Sequence, residues 1–183
     1  MTTLPLPETI HTQRLILGRL RYEDAAEIFY AYASKPAATR WVSWQTHRSV
    51  EDTMNYLAFA IRAWTEGKDY SYTIRLASSN KLAGSVGIIN NNGDLQFGYI
   101  LSPTYWGKGI ATEAARAILK HISSINGIKR IGTFVSTENK ASVRVLEKCG
   151  LRQEALLQKW FLFPNAAPDR QDCYAFVYPL PPR

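Results

Sequence analysis

The order of strand and helix patterns in this chain predicts a mixed α/β fold, with a central, mostly antiparallel β-sheet flanked by helices. Two observations support this prediction. Three β-rich stretches separated by turns lie next to each other at 70–101, and helix and strand patterns alternate after them. The predicted order is β-α-α-β-β-β-α-β-α-β-β. The chain has 183 residues and no visible internal boundary, so we expect one domain over 1–183.

The first strand is predicted at 14–20 from the β-rich run "RLILGRL". A helix is predicted over 22–34, because acidic residues occupy its first turn. A second helix is predicted over 49–67. It begins with Ser49 and Asp52, which resemble a capping box, and its apolar residues recur at helical spacing.

An antiparallel meander is predicted from strands at 70–77, 82–89 and 95–101. The run "NNNGD" at 90–94 is the strongest turn signal in the chain, since Asn and Gly adopt positive φ at low cost. After the meander come a helix at 111–123, a strand at 129–136, a helix at 139–150, and a hairpin formed by 154–163 and 172–180.

The charge balance restricts the classes of partner. Net charge is +7, which favours acidic partners such as nucleic acid, anionic lipid or a phosphate-bearing cofactor. The basic residues form no run of five or more, so we expect no nucleic-acid binding. The longest strongly apolar run, at 56–61, is too short to span a bilayer, so we expect no membrane partner.

The two cysteines, Cys149 and Cys173, form no CxxC pair and have no histidine cluster near them, so no metal site is expected. Lone cysteines suit a reducing cytosol, where they remain thiols. The opening residues lack the basic start and apolar core of a signal peptide. We therefore expect a cytoplasmic protein.

A glycine-containing turn precedes the helix at 111–123. Gly107 and Gly109 flank Lys108, and a helix start with small residues lets an anion approach free backbone N–H groups. The turn lacks the first glycine of a Walker A loop, and Thr112 stands where a dinucleotide fingerprint needs its third glycine. On these residues alone, a phosphate cradle and a plain strand-to-helix turn are equally compatible.

The segment "FGYILSPTYWGKGIATEA" resembles motif A of the GNAT superfamily of acyl-CoA N-acetyltransferases. The motif, Arg/Gln-x-x-Gly-x-Gly/Ala, falls on 106–111, with Trp106 in its first position. The segments "TQRLILGRL" at 12–20 and "NKASVRVLEKCGL" at 139–151 resemble the branch of ribosomal-protein N-terminal (Rim-type) acetyltransferases. The three occur in family order, and the resemblance covers about 12–178.

The resemblance implies a GNAT fold that binds acetyl-CoA and needs no metal. The strand before the turn would part from its neighbour at a bulge and pair with pantetheine, and the turn amides would bind pyrophosphate. Asn139 would cap the last helix and contact the pantetheine amides. The residues implied to bind the cofactor are Tyr99, Ile100, Leu101, Trp106, Gly107, Lys108, Gly109, Ile110, Ala111, Thr112, Asn139 and Ser142.

The implied reaction is direct attack of an amine on the thioester in a ternary complex. A main-chain N–H near Tyr99 or Ile100 would stabilise the oxyanion. Leu146 stands where many relatives carry a tyrosine acid, so we consider the Ser142 hydroxyl as its substitute, with a plain small helix residue as the alternative. Gln96 replaces a glutamate base and can only orient an amine or a water. A water relay, an already neutral amine or lost activity remain open.

The acceptor side is expected at 39–52 and at the final hairpin. Trp41, Trp44 and Trp160 are candidate walls, and His47 is either a base or an exposed loop residue. Asp172 is expected to form a structural hydrogen bond and not to take part in catalysis. The acceptor is predicted to be a protein N-terminus or a small-molecule amine; the alternative is a non-catalytic acyl-CoA-binding module. The oligomeric state stays open, a homodimer included.

Overall fold

The computed structural model describes residues 3–180, which form one eight-stranded sheet with helices on both faces. The strands are β1 (Thr9–His11), β2 (Leu15–Arg19), β3 (Asp69–Leu76), β4 (Leu82–Asn91), β5 (Asp94–Leu101), β6 (Arg130–Ser136), β7 (Arg152–Phe161) and β8 (Gln171–Val177). Their order is β1-β2-β3-β4-β5-β6-β8-β7. Only β5 and β6 run parallel among these pairs. The predicted mixed, mostly antiparallel sheet is confirmed.

The helices are α1 (Ala25–Ile28), α2 (Pro36–Thr39), α3 (Val50–Thr65), α4 (Ile110–Ser123) and α5 (Lys140–Lys148). The helix predicted over 22–34 is a composite: a 3₁₀ turn at Tyr22–Asp24, then α1, then a wider π-helical turn at Phe29–Ala33. The predicted start of α3 is confirmed, since Ser49 and Asp52 form the expected capping box.

One strand, one short α-helix and a 3₁₀ turn at Pro103–Tyr105 were not predicted from the sequence. β1 contributes three residues, too few to show alternation, and is held by pairing with β2. α2 is a single turn that begins at Pro36, which suits the first helical position because proline lacks the N–H that would be unbonded there. The predicted chain order therefore lacked one strand and one short helix.

Helices cover the sheet on both faces, with one apolar cluster on each side. α4 and α5 pack over the larger cluster, which includes Leu15, Phe97 and Ile118. α1 and much of α3 pack over the smaller one around Ile28 and Leu57. β5 shows the two-sided pattern directly, because its alternate residues Leu95 and Phe97 belong to the larger cluster while Ile100 packs against the smaller.

The two central strands part from each other halfway along their length. β5 and β6 pair only through Asp94–Gln96 and Arg130–Gly132. Beyond these residues β5 stays paired with β4 in uninterrupted register up to Leu101. The expected parting of the strands is present, but the bulge expected at that point is not seen in the pairing of β5 with β4. The parting opens a cleft between β5 and β6.

Candidate active site

A cleft of about 810 Å³ occupies the gap where β5 and β6 diverge. It extends along the start of α4 and the length of α5 and reaches α2 and the loop after it. Its lining includes these sequence-predicted cofactor residues: Tyr99, Ile100, Leu101, Trp106, Gly107, Gly109, Ile110, Ala111, Thr112, Asn139 and Ser142. Residues that are 43 positions apart in the chain, such as Tyr99 and Ser142, thus face one cavity.

The glycine turn forms one end of this cleft. Gly107 and Gly109 have φ of +72° and +75°, a left-handed conformation that favours glycine. Gly109 is the N-cap of α4, and it offers no side chain to the first N–H groups of the helix. Ile110 and Ala111 bury their side chains in the core, so the main chain is the part of the turn that a ligand would meet. These features suit an anion site.

The side chains of Trp106 and Lys108 make contacts within the protein instead of extending toward an anion at the turn. Trp106 donates its ring N–H to the carbonyl oxygen of Leu101 at 3.2 Å. Lys108 lies outside the cleft lining as far as residues 3–180 show, and its ammonium group sits 5.5 Å from the ring centre of Tyr105. Among the residues implied to bind the cofactor, Lys108 is therefore the one that the described cleft lining does not include.

A row of cationic side chains runs along one lip of the cleft. Lys140, Arg144 and Lys148 recur every four residues on α5, which places them on one helix face, and all three line the cleft. None of the three forms an ion pair within the described part of the chain. The four-residue spacing of these basic residues is the sequence signal for this row.

A pair of hydroxyl groups lies deeper in the cleft. The Tyr99 and Ser142 oxygens are 2.8 Å apart. Burial raises the pKa of Tyr99 to about 12, so the phenol keeps its proton at neutral pH. The Ser142 N–H donates to the side-chain oxygen of Asn139, and this confirms that Asn139 caps α5. The cap therefore positions one member of the hydroxyl pair.

The two positions where the sequence departs from the family pattern differ in their surroundings. Leu146 is 2% exposed and belongs to the main core, so it supplies no donor. Gln96 is exposed at the last position where β5 pairs with β6, opposite Gly132 of β6 and Ile89 of β4. Within residues 3–180 it is not part of the cleft lining.

An aromatic wall formed by Trp41, Phe134 and Phe163 also lines the cleft. Trp41 lines the cleft and meets Phe163 edge to face at 5.6 Å between ring centres. Phe134 and Phe163 also line it, and both rings contact Phe161. The sequence analysis missed Phe134 and Phe163, because their exposure to the cleft depends on where β5 and β6 part.

The other acceptor-side candidates lie elsewhere. His47 packs on Trp44 at 4.7 Å, and its Nδ1 is 2.8 Å from the Thr53 hydroxyl. Burial lowers the pKa of His47 below its usual value. Trp160 is 49% exposed on β7. Among the described residues, the cleft lining does not include Trp44, His47 or Trp160.

Asn165 joins the loop that carries Phe163 to α2 and to the loop after it, which carries Trp41. Its side-chain oxygen accepts from the N–H of Thr46 at 3.0 Å, and its amide donates to the carbonyls of Thr39 and Trp44, both at 2.8 Å. Asp172 accepts from the N–H of Lys159 at 2.7 Å, as expected for a structural role.

The described residues were also considered for a metal site, reactive thiols and membrane-spanning helices. No cluster of three or more potential metal ligands occurs in residues 3–180. Cys149 and Cys173 are free, and burial raises the pKa of each thiol to about 11. Across the same residues, the helices are too short or too polar to span a bilayer.

The chain is similar in sequence and fold to known acetyltransferases. The uncharacterized N-acetyltransferase YoaA of Bacillus subtilis (strain 168) is 27% identical over 173 residues, which cover 93% of this chain and 97% of that protein. A GNAT-family acetyltransferase structure from Bacillus anthracis is 25% identical, with a TM-score of 0.80 over 92% of this chain and 96% of that one.

The structure of RimL, a ribosomal L7/L12 alpha-N-protein acetyltransferase in complex with coenzyme A, shares the fold with a TM-score of 0.84. It is 19% identical, and the match covers 93% of this chain and 97% of that one. The profile of the family described as the acetyltransferase (GNAT) domain matches residues 14–152. The chain therefore belongs to the GNAT acetyltransferase family and is an N-acetyltransferase, a family assignment that implies acetyl transfer from acetyl-CoA.

Proposed function

We propose that this protein transfers the acetyl group of acetyl-CoA to a primary amine by direct attack within a ternary complex. The observation that carries the proposal is the convergence of three features on one cleft. These are the free edge of β5, the glycine turn before α4, and the Tyr99–Ser142 hydroxyl pair.

Each part of acetyl-CoA has a candidate binding group in the cleft. The N–H groups at the start of α4 suit a pyrophosphate. The edge of β5 beyond Gln96 offers backbone groups to the amides of a pantetheine arm, as in strand addition. The cationic row on α5 suits a further phosphate. A volume of about 810 Å³ lies within the range of small-molecule sites.

The hydroxyl pair is the candidate for stabilising the departing sulfur. An ordinary thiol has a pKa of about 8.5, well below that of Tyr99, so a thiolate would not remove the phenolic proton at equilibrium. Ser142 therefore acts by donating a hydrogen bond to the negative charge that develops on the sulfur. The Tyr99 hydroxyl in turn donates a hydrogen bond to the Ser142 oxygen. A main-chain N–H near Tyr99 or Ile100 is the candidate donor to the acetyl oxygen.

The attacking amine must lose a proton, and the cleft offers one carboxylate for this step. Glu138 is the only acidic residue of the lining in the described part of the chain. It lies two residues after the end of β6, directly before the capping residue Asn139. We propose Glu138, acting directly or through a water, ahead of Gln96, which cannot accept a proton at neutral pH.

The acceptor is proposed to be a protein N-terminus or a small-molecule amine that rests against Trp41, Phe134 and Phe163. The aromatic wall supports an acceptor with an apolar portion. The fold likeness to RimL is the reason for including protein N-termini. The buried free thiols of Cys149 and Cys173 are in keeping with a reducing compartment, and we propose the cytoplasm.

The decisive experiment measures release of free thiol from acetyl-CoA against a panel of small amines and N-terminal peptides. Release that depends on an amine, with an acetylated product identified by mass spectrometry, supports the proposal. Coenzyme A binding without release for any acceptor would favour the alternative, a non-catalytic acyl-CoA-binding module. The replacement of the family tyrosine by the buried Leu146 keeps that alternative in view.

A further inference from the structure

The loop between β1 and β2 reaches across to the glycine turn and holds it. Arg14 donates from Nη1 to the carbonyl oxygen of Lys108 at 3.0 Å. The same guanidinium donates from Nε to the Glu113 carboxylate at 2.6 Å. One side chain thus bridges the middle of the turn and the first turn of α4.

The Lys108 contact fixes the direction of a peptide group. The carbonyl and the N–H of a trans peptide point in opposite directions, and the described chain contains no cis peptide. With the Lys108 oxygen drawn toward Arg14, the N–H of Gly109 is turned to the other side. Gly109 lines the cleft and Lys108 does not, so this orientation presents the Gly109 N–H as a donor to the cleft.

Glu113 anchors Arg14 from the helix. Its carboxylate also accepts from the Thr12 hydroxyl at 2.6 Å and from the Arg14 N–H at 2.9 Å. Burial raises the pKa of Glu113, but the hydrogen bonds from Thr12 and Arg14 and the Arg14 charge outweigh it, and the pKa falls below its usual value. The N–H of Glu113 bonds to the carbonyl of Gly109, which closes the ring of contacts around the turn.

We propose that Arg14 and Glu113 are positioning residues that hold the turn at 106–112 in its anion-binding conformation before acetyl-CoA arrives. The inference rests on the proposed function and adds the means by which its phosphate site is preorganised. Neither residue belongs to the cleft lining, as far as residues 3–180 show. Their effect is therefore on cofactor affinity rather than on the chemical step.

The test measures coenzyme A binding by titration calorimetry for the wild type, Arg14→Met and Glu113→Gln. Arg19→Met is the matched control, because Arg19 also forms an exposed ion pair near the chain start, with Glu8. We expect Arg14→Met and Glu113→Gln to weaken coenzyme A binding about tenfold or more, the loss of one charge-assisted hydrogen bond. The double variant should lose little more than either single one, since both act as a unit.

A second readout separates positioning from general damage. S-acetyl-pantetheine lacks the pyrophosphate, so the kcat/KM for this compound should stay within about twofold of wild type in Arg14→Met, while that for acetyl-CoA falls about tenfold. The kcat at saturating acetyl-CoA should be unchanged. Equal losses with both donors would overturn the inference, because they indicate a structural fault.

The outcomes are distinguishable from failure of the proposed function. Wild-type affinity for coenzyme A in both variants would overturn the positioning role and leave the cofactor site standing. A wild-type protein that binds no coenzyme A would overturn both. If Arg14→Met does not fold, Glu113→Gln and Arg14→Lys carry the test, since lysine reaches only one of the two acceptors at a time.

Discussion

The hydroxyl oxygens of Tyr99 and Ser142 lie 2.8 Å apart, although one belongs to a strand and the other to a helix. Ser142→Ala removes the hydroxyl proposed to face the departing sulfur. We expect kcat to fall about ten- to a hundredfold with little change in coenzyme A affinity. Steady-state kinetics with calorimetric binding checks this. Ser142→Thr, which retains a hydroxyl, should recover part of the rate, and an unaltered kcat in Ser142→Ala would reduce Ser142 to a packing role.

Gly109→Val should weaken coenzyme A binding about tenfold or more, because its side chain would obstruct the turn in a left-handed conformation. An added Cβ would also lie 3.4 Å from the Arg14 guanidinium. The matched control is Gly127→Val: Gly127 has φ of +88° and open space around its Cβ position. Both variants should lose about 1–2 kcal/mol of stability from backbone strain. Equal coenzyme A affinity in the two would contradict the turn assignment.

Glu138→Gln should lower kcat/KM for the amine acceptor, while acetyl-CoA affinity stays near wild type, because only the amine needs a proton acceptor. The pH profile of kcat/KM is the informative measurement, since the variant should recover activity at high pH as the amine loses its proton unaided. Glu147→Gln on the exposed face of α5 is the control. A ratio of variant to wild-type kcat/KM that does not change with pH would indicate that another group is the base.

The cationic row on α5 is expected to recognise a phosphate beyond the pyrophosphate. In the double variant Arg144→Gln/Lys148→Gln, the preference for coenzyme A over 3′-dephospho-coenzyme A should shrink about three- to tenfold, as exposed charges allow. The preference should also weaken in high salt for wild type. A preference that the double variant retains in full would place the 3′-phosphate elsewhere.

Glu113 should make stability depend on pH in the acid range. Its pKa in the folded protein lies below the ordinary value of 4.5, so its contribution is present above 4.5 and is lost as pH falls through the folded value. The stability difference between wild type and Glu113→Gln should therefore be largest near pH 7 and shrink below pH 4.5. Denaturant unfolding across a pH series measures it. A difference that does not change with pH would mean that the carboxylate charge is not stabilised by Arg14 and Thr12.

Local patterns predicted most of the fold. The meander, α3 with its capping box, α4 and α5 each follow from periodicity and from cap or turn residues that act within a few positions. β1 and α2 were missed because three and four residues carry no period. Their formation depends on pairing and packing with distant parts of the chain.

The site divides in the same way. The glycine turn and the Asn139 cap are local devices and were found from the sequence. The contact between Arg14 and Glu113 joins residues 99 positions apart, so no local sequence pattern predicts it. The aromatic wall and the placement of Gln96 outside the cleft depend on where two strands separate, which is a property of the whole sheet.

The sheet consists of two hydrogen-bonded parts that are joined by the short parallel contact between β5 and β6. One part comprises β1 to β5 and the other β6, β8 and β7, and three residues on each strand form the contact. Backbone hydrogen bonds therefore join the two parts only over this short contact. Its register fixes where β5 and β6 begin to separate, so we expect substitutions in Asp94–Gln96 or Arg130–Gly132 to change ligand affinity, although in residues 3–180 none of these residues lines the cleft.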